Sequence, residues 1–147
     1  FGWVVPQLCY PPFNSLVGRY IPWGANDYAD FGNPLMTIIA RGMVVLLLII
    51  YVWASVALGL KASNLTNRGI VRKFPYSIVR HPAYISKISI WWLTLLPVMT
   101  LPFALGMLFW TIIYFFRAVT EEKHLGMDTE YGEYCKKVKS RFIPYVI

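Results

Sequence analysis

The chain has 147 residues, 57% of them apolar and 17% aromatic, with only 14% charged and a net charge of +7. A soluble domain carries roughly 25% charged residues, and the mean hydropathy of +0.51 points the same way. A soluble globular domain and a disordered tail are both excluded, and a small polytopic membrane protein of a single domain is expected.

The first 35 residues are rich in helix breakers, with Pro6, Pro11, Pro12, Pro22 and Pro34 beside Gly2, Gly18, Gly24 and Gly32. Trp3, Tyr10, Phe13, Tyr20 and Trp23 suit an interfacial layer, where amphipathic rings gather. Residues 1–35 are therefore read as irregular or re-entrant at the outer interface. They hold no basic segment followed by a short apolar core, so a signal peptide is not expected. Residues 36–60 form a transmembrane helix: Gly42 to Leu60 gives 19 consecutive residues without Asp, Glu, Lys or Arg. About 18 are enough for a span.

Residues 61–85 form a loop, and the charge distribution assigns its side. Six basic residues lie between Lys61 and Lys87, six more from Arg117 onward, and only Arg19 and Arg41 come earlier. Basic residues that flank apolar spans mark the cytoplasmic side, and the basic tail also suits anionic headgroups. Nucleic acid is not an expected partner, since no basic face on a soluble module is present.

Between these two basic segments, Ile88 to Phe116 is an uncharged run of 29 residues. As one helix it would be about 43 Å long, against a hydrocarbon core of roughly 30 Å. Pro97 and Pro102 interrupt it. A tight transmembrane hairpin over 86–117, with arms near 86–99 and 102–117, places both basic segments on one side. A single kinked helix is the alternative. Residues 118–147 complete the chain as a cytoplasmic, partly helical tail. The fold class is an all-α membrane protein: one full span, a proline-interrupted hairpin, a cytoplasmic loop and the tail.

Chemistry concentrates at the two ends of the hairpin. Arg80-His81-Pro82 precedes it, and Pro82 suits the first turn of a helix. His81 and Tyr84 are three apart and share a helix face. They read either as a polar site beside a helix N-terminus or as a cap and an interfacial anchor. Arg117 and Glu121 are four apart at the other end, and read either as a surface ion pair or as inward-facing groups at a membrane edge. A hairpin brings both clusters to one level. Cys9 and Cys135 are far apart and suggest neither a disulfide nor a metal site, and no His/Cys/Asp cluster offers a metal.

The ordered pieces are Phe74-Pro75-Tyr76, Arg80-His81-Pro82-Ala83-Tyr84, the apolar hairpin, Arg117 to Glu121-Glu122, Tyr131 and Tyr134, and Ile143-Pro144. Over about residues 60–145 this resembles the integral-membrane methyltransferases that include isoprenylcysteine carboxyl methyltransferase and the phospholipid methyltransferases. Phe74 stands where that family usually carries glycine, and the stretch from Glu122 to Tyr131 is short. The resemblance implies S-adenosylmethionine as methyl donor. It implies that Gly69, Ile70, Val71, Tyr76, His81, Pro82 and Tyr84 line the donor, with Glu121 on its amino-acid end. Arg117 and Glu122 are the implied catalytic residues, Arg117 facing a lipophilic acceptor reached from the bilayer. An anionic acceptor would need no general base; an amine or alcohol would need one, with His81 or Glu122 nearest. Two other readings stand beside this one: an NADPH-dependent membrane reductase of the sterol-reductase type, and a non-catalytic protein of the same shape. The Glu121-Glu122 pair and Pro82 favour the methyltransferase.

Overall fold

The computed structural model describes residues 29–59 and 69–144. The irregular segment expected at the N-terminus lies mostly outside the described residues. Those described form four α-helices and no strand: α1 (Pro34–Leu58), α2 (Pro82–Leu95), α3 (Leu101–Leu125) and α4 (Thr129–Lys137).

Helix α1 begins where Asn33 caps it, its Oδ1 accepting from the Leu35 and Met36 amides at 2.9 and 3.3 Å, with Pro34 in the first turn. It ends at Gly59, whose φ of 47° is a conformation glycine adopts without a Cβ penalty. Only Ala40 and Ala54 are buried along its 25 residues. Most of its remaining apolar side chains, Leu46, Val52 and Val56 among them, are exposed. A helix apolar all round and exposed in isolation is one solvated by lipid. Helices α1 and α3 are both long and apolar enough to cross a membrane.

The hairpin forms, and the single kinked helix does not. Pro97 falls in a 3-10 turn over Leu96–Val98, and Pro102 in the first turn of α3, both places where a missing N–H is tolerated. The boundaries differ from expectation at both outer ends. Helix α2 starts at Pro82 rather than 86, because Pro82 is well suited to the first helical position. Helix α3 runs on to Leu125, nine residues past the uncharged run, through the good helix formers Glu121, Glu122 and Lys123. The first arm is the shorter, about 21 Å of α-helix against about 37 Å for α3.

Polar side chains tie the two arms together at three levels. Trp92 Nε1 donates to Thr111 Oγ1 at 3.0 Å, Lys87 Nζ to Tyr114 Oη at 2.9 Å, and Tyr84 Oη to Glu121 Oε2 at 2.9 Å. Interhelical hydrogen bonds of this kind add about 0.6 kcal/mol each in a membrane. Between them, Leu95, Met107, Trp110 and Ile113 form an apolar cluster near the turn. Helix α4, capped by Asp128, packs Tyr131, Tyr134 and Val138 around Ile70 and Leu125. That cluster fixes the loop before α2 against the end of α3.

Candidate active site

The outer end of the hairpin is a closed network of charged and aromatic groups. Its hub is Glu122, buried on α3. His81 Nε2 lies 3.1 Å from its Oε1, Arg80 Nη1 3.2 Å from the same oxygen, and Arg141 Nε 3.0 Å from its Oε2. A carboxylate only accepts, so His81 donates from Nε2. His81 occupies the N-cap position of α2, but its side chain makes no capping bond; the ring turns to Glu122 instead.

Arg141 reaches this hub because the segment after α4 folds back along the start of α2. The Arg80 amide donates to the Ser140 carbonyl and the His81 amide to the Arg141 carbonyl, both at 3.0 Å. Arg80 Nη2 donates to the Lys139 carbonyl at 2.8 Å. Phe142 then packs its ring on His81 at 5.5 Å and on Phe115 at 5.9 Å. This strap closes the site from the side opposite the membrane turn.

Next to the hub, Tyr84 organises a second group. Its ring lies parallel to His81 at 5.5 Å, its hydroxyl holds Glu121, and the Arg117 guanidinium sits over its face at 5.5 Å. The face shared by Arg117 and Glu121 is thus the face turned to Tyr84. Consecutive residues point about 100° apart on a helix, so Glu121 and Glu122 serve two different groups. Glu121 Oε1 has no hydrogen-bond partner among the described residues.

The loop before α2 supplies the remaining wall. Tyr76 is buried, and its carbonyl accepts from Tyr134 Oη at 2.7 Å. Burial first, and then the nearby Glu121 carboxylate, push the Tyr76 phenol up to about 12. The same loss of solvent raises Tyr131 and Tyr134. All three therefore stay neutral hydrogen-bonding groups across the physiological range. Phe74, where glycine is usual in the resembling family, puts its ring edge-on against Trp53 at 5.4 Å. It fastens the loop to α1.

The two sequence clusters do come together: His81 with Glu122, Tyr84 with Glu121 and Arg117, Pro82 buried beneath them. Tyr76 lies close to Glu121. Of Gly69, Ile70 and Val71, Ile70 packs on the cluster of Tyr131, Tyr134 and Val138. Sequence reasoning passed over Arg141 and Lys87. Lys87 carried a usable signal, since it stands immediately before the 29-residue uncharged run just as Arg117 follows it.

The phospholipid methyltransferase family model matches residues 35–133, from α1 through the first half of α4. The chain belongs to the phospholipid methyltransferase family. Neither a curated relative nor a solved structure matches it. Membership makes it a membrane protein with a methyltransferase fold, and gives the polar network its context. In this phospholipid methyltransferase homologue, the family match covers His81, Tyr84, Arg117, Glu121 and Glu122 but stops short of the strap that carries Arg141.

Proposed function

We propose that this chain transfers a methyl group from S-adenosylmethionine to the headgroup of a membrane lipid, at the cytoplasmic face of the bilayer. The observation that carries this reading is the pair of bonds Tyr84–Glu121 and His81–Glu122. They join segments 37 and 41 residues apart into one polar site at the mouth of an apolar hairpin.

The residues present fit the donor. Glu121 has one oxygen on Tyr84 and another to accept from an ammonium. The parallel His81 and Tyr84 rings and the Tyr76 wall provide aromatic surface for a sulfonium or an adenine. Gly69, Ile70, Val71 and Pro82 would shape the loop side. S-adenosylmethionine, when bound, supplies an electrophilic methyl on sulfur, which departs as a neutral sulfide. The protein's part is alignment of two reactants and control of charge.

Arg117, over the Tyr84 ring, would face the acceptor. Its guanidinium stays charged and cannot act as a base, but it can hold an anionic group of the acceptor. Its positive charge also disfavours protonation of a nearby amine, keeping the lone pair available for the methyl. Glu122 has both oxygens committed to cationic donors, so it acts by positioning Arg80, His81 and Arg141 rather than by taking a proton.

Ligand-dependent thermal stability tests the donor. S-adenosylmethionine and its demethylated product at a hundredfold excess over Kd should each add about 2.7 kcal/mol of stability; stabilisation by NADPH alone would point to the reductase. Arg117→Ala should lower turnover about tenfold, equivalent to roughly 1.4 kcal/mol of barrier, with donor affinity within about threefold. Loss of donor affinity in parallel would move Arg117 to the donor side. The orientation is tested by single cysteines at the exposed positions Arg72 and Lys136, in a background lacking the natural thiols. Both should react with an impermeant reagent from the cytoplasmic side alone; labelling from opposite sides would overturn the shared site.

A further inference from the structure

One cation of the hairpin stands apart from the Glu122 hub. Lys87 lies one turn below Tyr84 on α2, about 4.5 Å farther into the membrane. Its ammonium donates to Tyr114 Oη at 2.9 Å and rests over the Trp91 and Tyr114 rings at 5.0 and 5.2 Å. Among the described residues, no carboxylate forms an ion pair with it. A cation in this position is costly without a partner, and two aromatic faces offset only part of that cost.

The local donors converge. An ammonium has three N–H groups, of which Tyr114 takes one. The Tyr114 hydroxyl accepts from Lys87 and so keeps its own proton to donate. Tyr84 meets Tyr114 edge-on at 5.7 Å, and the Arg117 guanidinium lies over Tyr84. Two cations thus bracket a pair of tyrosines on the α2–α3 seam, at the depth where the uncharged run begins. That depth is the headgroup–acyl boundary of a bilayer.

We propose that Lys87 and Tyr114 Oη form the seat for the phosphodiester of the acceptor lipid, an inference that rests on the methyltransferase reading for its acceptor. A phosphate held there places an amine on a two-carbon arm about one helical turn nearer the water, at the level of Tyr84 and Glu121. In that orientation the headgroup lies as it does in a bilayer, amine outward and phosphate inward. A carboxylate acceptor held by Lys87 would instead keep its reacting oxygen a full turn below Glu121.

The test uses the full chain in detergent with two lipids of equal acyl length, one a phosphoethanolamine and one an aminoethyl ether without phosphate. Binding is read by thermal stabilisation and methylation by product formation, in wild type, Lys87→Met, Lys87→Arg and Tyr114→Phe. Lys87→Met should weaken binding, and raise KM, about tenfold for the phosphate-bearing lipid only, with Lys87→Arg restoring most of it. Tyr114→Phe should show a smaller change in the same sense. Equal losses for both lipids, or no loss for either, would overturn the seat. Equal stabilisation by inorganic phosphate without lipid would overturn the assignment to a headgroup. Phosphate-selective binding without methylation in wild type would leave the seat standing and remove the proposed reaction; methylation indifferent to Lys87 would do the reverse.

Discussion

Replacing Glu122 with alanine should destabilise the protein by about 3 kcal/mol, the scale on which removing one member of a buried charge network costs stability. The loss arises because Arg80 and His81 are largely withdrawn from water and share this one carboxylate. Arg141, about half exposed, would turn to solvent at little cost. Denaturant unfolding in detergent micelles measures the effect. Glu122→Gln should lose less, since its carbonyl oxygen still accepts one of these bonds. A loss under about 1 kcal/mol for alanine would mean that water serves the cations as well as Glu122 does.

Glu121→Gln should behave in the opposite way, with stability nearly unchanged and donor binding severely weakened. The amide carbonyl still accepts from Tyr84 Oη, so the α2–α3 contact survives. What disappears is the negative charge. A charge-assisted hydrogen bond to a desolvated ligand contributes roughly 1.5–3 kcal/mol, about ten- to a hundredfold in affinity. Calorimetric titration with S-adenosylmethionine reads this directly. Normal affinity would return Glu121 to a structural bond with Tyr84. The adjacent glutamates thus make a matched pair of experiments, one reporting on the folded site and the other on its ligand.

The features legible in the sequence were those set by spacing along one helix or by an interruption. Pro97 and Pro102 marked the turn because proline disturbs a helix interior wherever it falls. His81 with Tyr84, and Arg117 with Glu121, were recognisable because residues three and four apart share a face. The end of α3 was misjudged because the uncharged run stops at Phe116, whereas helical hydrogen bonding needs no apolar side chains and continues to Leu125. Arg141 was illegible for a different reason. Its place depends on backbone pairing between Arg80–His81 and Ser140–Arg141, a contact across some sixty residues that no local pattern encodes. Phe74 stays a departure from the family's usual glycine, and its contact with Trp53 of α1 lies beyond any local pattern.

The strap also fixes the order in which the site comes into being. Ribosomal synthesis delivers Arg80 and His81 first, then Glu122, and only afterwards Arg141 and Phe142. A chain cut short between Gly126 and Val138 would still contain the whole hairpin, with its turn and its apolar cluster. Its product would have Glu122 matched to two cations rather than three, and the His81 ring without Phe142 against it. Such a fragment should enter the bilayer and remain inert. The strap, with Arg141 and Phe142, is therefore the last part of the polar network to be synthesised.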